Sequence, residues 1–166
     1  MSQDEFRAAM TRLAGGVVLV TAHDEEEDPV GAGAGMTATS FLSVSLDPPL
    51  VLVSVRTGSR MADILDRQEL WAASLLAEGQ HALAGRFAMK GRLSDRLIFR
   101  ETPHDIGEHT GAPLPHGTLA AVECRTEQRV TAGDHTLHIG RVLATRLPTT
   151  AAGPLLYAWG RYGTLG

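Results

Sequence analysis

The 166 residues, 43% hydrophobic and 20% charged with a formal net charge of -4, have the size and balance of one globular domain over residues 1–166. The acidic balance argues against nucleic acid as a partner, because phosphate backbones favour basic surfaces. No apolar run approaches the roughly 20 residues of a membrane span, the acid-bearing start is no secretory signal, and a lone Cys124 excludes an internal disulfide, so a reducing cytoplasm is expected.

Residues 3–13 place Phe6, Ala9, Met10 and Leu13 at helical spacing, and Gly15-Gly16 ends that amphipathic helix. "VVLVTA" reads as a strand, and the charged "HDEEEDPVG" closes a hairpin whose tip, Glu25 to Asp28, is a solvated acidic run rather than a metal site. A second strand runs through "VGAGAGMTA", and "SFLSVSL" alternates in period two up to the turn "DPP". "LVLVSV" reads as a buried strand, "SRMADILDRQ" as a helix capped by Ser59, and "ELWAASLL" as a return to strand. "AEGQHALAGRFAM" reads as another helix, and residues 91–116 as a long, partly irregular excursion rich in Gly, Pro, His and Asp. Two long strands meet at Gly133-Asp134 in a hairpin signal, and "PLLYAWGRYG" ends the chain with a short strand. Many strands, few short helices and hairpin connections predict a mainly β protein, an antiparallel barrel. The glycines of "GAGAG" lead into a strand rather than opening a helix, so they are not a dinucleotide fingerprint.

Four groups of residues can carry chemistry. Thr37, Thr39 and Ser40 put hydroxyls on a strand, and Gly35 and Ala38 let a planar ligand approach the backbone; a polar outer sheet face is the alternative. "SVRTGSR" leads from a strand into a helix, so Ser59 and the first-turn amides form an anion site beside Arg56 and Arg60, or Ser59 is simply a cap. Arg86 to Lys90 ends a helix with cations around Phe87, a favourable arrangement in any helix. In "GDHTLHIGRV", His135 and His138 lie three apart and face opposite sides of one strand, which argues against a shared metal there. The other histidines lack metal-ligand spacing. Cys124 reads as a buried inert thiol.

The segments "FRAAMTRLAGGVVLVTA", "GMTATSFLSVSLDPPLVLVSV", "LAGRFA", "GAPLPHGTLAAVECR", "GDHTLHIGRV" and "PLLYAWGRYG" resemble, in order, the short-chain flavin reductase family. That resemblance implies the FMN-binding split barrel and the reductase component of a two-component flavin-dependent monooxygenase. It implies that Met36, Thr37, Ala38, Thr39 and Ser40 line the flavin, that Ser54, Val55 and Arg56 border it, and that Ser59 and Arg60 belong to the phosphate-binding turn. Phe87 and Lys90 match a stretch that flanks the flavin. His135 matches a histidine associated with the nicotinamide nucleotide, and Arg161 and Tyr162 match an element near the same cleft. The implied cofactors are FMN or FAD with NADH or NADPH, for whose 2′-phosphate Arg56, Arg60 and Arg141 are candidates. The implied partners are a second copy of the chain, in a homodimer, and a separate monooxygenase. The alternative is a split-barrel protein that holds FMN without turning over NAD(P)H.

Overall fold

The computed structural model describes residues 1–26 and 33–166. The Glu27–Asp28 part of the expected hairpin tip and the start of the second strand, residues 30–32, lie outside the described residues. In chain order the elements are α1 (Gln3–Met10), β1 (Gly15–Gly16), β2 (Val18–His23), β3 (Gly33–Ala38), β4 (Phe41–Ser45), β5 (Leu50–Arg56), α2 (Arg60–Arg67) and β6 (Leu70–Leu75). A 3-10 turn (Glu78–Gln80) leads to α3 (His81–Ala88), α4 (Asp95–Glu101), β7 (His104–Ile106), β8 (Pro113–Pro115), β9 (Ala120–Ala132), β10 (His135–Arg146), β11 (Leu156–Ala158) and β12 (Arg161–Gly163). No helix among the described residues is long and apolar enough to cross a membrane.

Seven strands form one antiparallel sheet in the order β3-β2-β6-β9-β10-β5-β4. Its two edges, β3 and β4, are consecutive in the chain and joined only by Thr39 and Ser40. Flat, the sheet would hold those edges about 29 Å apart, at six spacings of about 4.8 Å. Three residue steps from Ala38 to Phe41 reach at most about 11 Å. The sheet must therefore curl until its edges nearly meet. The result is a barrel with a seam, as the resemblance implies.

Side-chain alternation fills that barrel. In β5 the residues Val51, Val53 and Val55 point inward and are buried, while Leu50, Leu52 and Ser54 are half-buried on the other face. They join Val18, Val20, Ala34, Ala38, Trp71 and Cys124, together with Met61, Ala62, Ile64 and Leu65 of α2. The Trp71 indole lies against Gly140, where an added Cβ would sit 2.8 Å from the ring, and its N–H donates to Thr126 Oγ1 at 2.9 Å. Burial, and secondarily the Glu123 charge, push the Cys124 thiol up to about 12, which makes it a poor nucleophile. A second cluster, including Val17, Leu19, Ala84, Phe87, Ile98 and Phe99, packs α3 and α4 on the outside of the wall.

Three local expectations need correction. The first helix stops at Met10 and buries none of its residues, and Gly15-Gly16 form β1, which pairs with β11. The excursion at 91–116 contains α4, which buries Asp95, Ile98 and Phe99 at helical spacing; the surrounding Gly, Pro and His residues masked so short a period. The chain ends in two strands, β11 and β12, turning at Trp159-Gly160 with positive φ at both positions.

Candidate functional site

The run from Gly35 to Ser40 lies on the seam. Gly35 donates its N–H to Asp95 Oδ2 at 3.0 Å, and its carbonyl accepts from Arg92 Nη2 at 3.1 Å, so both groups point away from β2. Strand parity turns the Thr37 N–H and carbonyl outward along the same edge. Met36 is half-buried and packs against the barrel core with Ala38. The hydroxyls have local duties: Thr37 Oγ1 donates to the Ala84 carbonyl at 2.7 Å, and Ser40 Oγ donates to the Ser54 carbonyl at 2.7 Å. These bonds tie β3 to α3 and the Thr39-Ser40 link to β5, where Ser40 extends the β4–β5 ladder. What this edge offers a ligand is therefore the outward main chain of Thr37, the oxygen lone pairs of these hydroxyls, and the exposed Thr39.

The second expected segment meets the first. A cavity of about 150 Å3 is lined by Ala34, Gly35, Met36, Ser59, Arg60, Met61, Arg92 and Asp95. Ser59 caps α2, its Oγ accepting the Ala62 N–H at 3.2 Å, and Gly58 precedes it with φ of 81°. The cavity is smaller than the several hundred Å3 of whole-cofactor pockets; it suits one polar end of a nucleotide, with the rest along the open edge.

Arg60 is held between two buried carboxylates, with Nη2 3.4 Å from Asp24 Oδ2 and Nη1 3.5 Å from Asp95 Oδ2. Asp24 also accepts from Arg67 Nη2 at 2.6 Å, and Asp95 from Arg92 Nε at 3.0 Å. Burial acts to raise the Asp24 carboxyl, but hydrogen bonds from Arg67, the Glu26 N–H and Arg60 hold it below its ordinary value. Sequence reasoning missed Asp24, Asp95 and Arg92. The only local signal was Ser94-Asp95 at a helix start; the pairing itself is long-range.

The histidine turn adjoins the same end of the barrel. Thr57 donates its N–H to the Asp134 carbonyl at 2.9 Å, and His135 is the cross-strand neighbour of Arg56. His135 Nδ1 lies 2.8 Å from Asp134 Oδ1, a contact that holds the Asp134 carboxyl below its ordinary value. Arg56 is exposed beside this turn, whereas Arg141 lies farther along β10, opposite Leu50, and pairs with Glu127.

The remaining expected residues fall elsewhere. Ser54 is half-buried behind Ser40, and Val55 points into the barrel core. Phe87 is buried under β3, its ring against Gly35, so it can shape the edge but offers no open face. Lys90 is exposed after α3. Arg161 and Tyr162 belong to the separate sheet β1-β11-β12, where Tyr162 packs edge-on to Tyr157 with centroids 5.2 Å apart. That sheet reaches the seam through Gly15, whose Cβ position is 3.4 Å from Thr39 Cβ. A larger groove of about 520 Å3, lined by Met89, Leu93, Leu97 and Ile98, opens on the α3–α4 side of Arg92.

Residues 10–166 match the family described as flavin reductase like domain. The chain is similar to an NADH:FMN oxidoreductase of Rhodococcus qingshengii, at 40% identity over 161 residues, 95% of this chain and 79% of that protein. It superposes with a TM-score of 0.89 on the NADH:FAD oxidoreductase SgcE6 of Streptomyces globisporus in complex with NAD and FAD fragments, at 32% identity over 99% of this chain and 93% of that one. The styrene monooxygenase flavin reductase of Pseudomonas putida S12 gives a TM-score of 0.80 and 35% identity, covering 97% of each chain.

Proposed function

Since the chain belongs to the flavin reductase-like family and is an oxidoreductase, we propose that it reduces FMN or FAD with NADH and hands the reduced flavin to a separate monooxygenase. The observation that carries this reading is convergence at one end of the barrel. The cavity joins Gly35 and Met36 to Ser59 and Arg60, while the adjoining turn sets His135 opposite Arg56.

The residues fit such a ligand. The outward main chain of Thr37 is complementary to the polar rim of an isoalloxazine, and the Ser59 turn with the first amides of α2 suits a phosphate. The flavin supplies the hydride-accepting chemistry. The protein's part is to hold the ring along the Met36–Ser40 edge, to anchor the phosphate at Ser59 and Arg60, and to orient the nicotinamide nucleotide from His135. Geometry of this kind, rather than a protein acid or base, is what hydride transfer requires. The single buried thiol fits a reducing cytoplasm.

The test is NADH oxidation dependent on added flavin, alongside fluorescence titration with FMN, FAD and riboflavin. Flavin binding without NADH oxidation would favour a holding protein instead, and no binding at all would end the proposal. In His135→Ala the KM for NADH is expected to rise about five- to tenfold, the worth of one hydrogen bond, with FMN affinity unchanged. Stopped-flow reduction with an unaltered NADH dependence would remove His135 from the site.

The unpartnered apolar surface supports a homodimer. The apolar side of α1, with Phe6 and Met10, is exposed, and Leu42 and Val44 of β4 and Leu46 in the turn after it are 51%, 45% and 93% exposed. Sedimentation is expected to give twice the chain mass; a fully active monomer would count against the dimer.

A further inference from the structure

The arginines of the cleft are not simple anion receptors. Arg60, Arg67 and Arg92 face Asp24 and Asp95, and Arg67 also reaches Glu26, its Nε 3.5 Å from Oε2, so the guanidinium groups are met by carboxylates throughout. Both carboxylates are buried, at 2% and 3% exposure. Arg60, which the phosphate reading requires, has one terminal nitrogen toward each of them. Asp95 does more: it lines the same cavity as Ser59 and Arg60, and it holds the Gly35 N–H on the seam. A phosphate entering beside Ser59 would meet a nearly balanced charge array, with a carboxylate in the cavity wall. In a partly desolvated site each such charge is felt strongly, because screening by water is weak.

We propose that Asp95, with Asp24 behind Arg60, is a specificity-determining residue that limits how strongly this chain prefers a phosphorylated flavin over riboflavin. The inference rests on the flavin-reductase reading. Its consequence is a flavin nucleotide bound weakly enough at its phosphate to leave after reduction, as delivery to another protein requires. The carboxylates also give rigidity: Asp95 fixes Arg92, which fixes the Gly35 carbonyl, so the edge is set before a ligand arrives.

The test compares dissociation constants for FMN and riboflavin, by fluorescence titration, in the wild type, Asp95→Asn and Asp24→Asn. Asparagine keeps an oxygen for the Gly35 N–H while removing the charge. Asp24→Asn relieves Arg60 from the other side without touching Gly35. In both variants the FMN-over-riboflavin preference is expected to rise, about tenfold in Asp95→Asn, from the loss of one nearby unit charge in a medium of intermediate dielectric. Raising the salt concentration should shrink that gain. A merely structural role would weaken both flavins equally and leave the ratio unchanged, which would overturn the proposal, as would a falling ratio. Because the ratio is taken on one sample, partial unfolding of either variant cancels. If the wild type bound neither flavin, the flavin-reductase reading itself would fail; an unchanged ratio with both flavins bound defeats only the role of the carboxylates.

Discussion

Gly35→Ala is expected to cost about 2–3 kcal/mol of stability, the scale of overpacking a filled interior, and with it most of the affinity for flavin. The added Cβ would stand 2.7 Å from Phe87 Cε1 and 2.8 Å from Cδ1, closer than carbon atoms approach. The ring has little room to retreat: Phe87 is buried, with Phe99 at a centroid distance of 4.9 Å and the Arg92 guanidinium 5.9 Å from its centre. Relief must come from β3 moving outward, and β3 carries the Thr37 edge. That movement would also stretch the bonds of Gly35 to Asp95 and Arg92. Thermal unfolding should fall by roughly 5–10 °C, and FMN titration should show weakened binding. Phe87→Leu in the same chain should restore part of both, because the two substitutions share one contact. An alanine variant with wild-type melting and FMN affinity would refute this account of the strand.

The second expected result runs the other way. His138 faces the barrel interior from β10, is 0% exposed, and neither of its ring nitrogens has a hydrogen-bond partner among the described residues. A neutral imidazole carries one donor and one acceptor, and leaving both unpaired in an apolar interior is costly. His138→Leu is therefore expected to raise stability at pH 7.5 by about 1–2 kcal/mol. The pH dependence gives an independent check. Burial lowers the folded-state pKa of His138 below 6.5; the nearby Arg129 charge lowers it further and Asp66 opposes. The unfolded chain thus takes up this proton first as acid is added. The stability in question is complete above pH 6.5 and is lost as pH falls through 6.5 toward the folded value, at no more than about 1.4 kcal/mol per pH unit. Urea unfolding at pH 7.5, 6.5 and 5.5 should show that loss in the wild type and a shallower one in His138→Leu. A leucine variant less stable at pH 7.5 would mean that the ring is satisfied in solution.

The sequence made the local parts of this molecule legible. Alternation located β4, Ser59 announced the start of α2, and the Gly133-Asp134 signal marked the β9–β10 hairpin, because each depends on neighbours within a few residues. Parity correctly put His135 and His138 on opposite faces, though it could not say that His138 would be sealed in. Long-range pairing was out of reach. Nothing near Asp95 in the chain indicates that it would grip Gly35, sixty positions away, or that Asp24 would hold Arg60 and Arg67. The hydroxyl-rich run was read as facing a ligand; the structure gives the hydroxyls of Thr37 and Ser40 main-chain acceptors, leaving the backbone edge as the more open surface.

The two-residue link between the sheet's edges sets a limit on how this chain can vary in length. One residue inserted between Thr39 and Ser40 would add up to about 3.5 Å of slack, most of the distance between neighbouring strands. The edges β3 and β4 would then drift apart, and a molecule spanning the opening would lose its grip on one bank. Additions and deletions are thus confined to the outlying turns, while this suture keeps a fixed gauge.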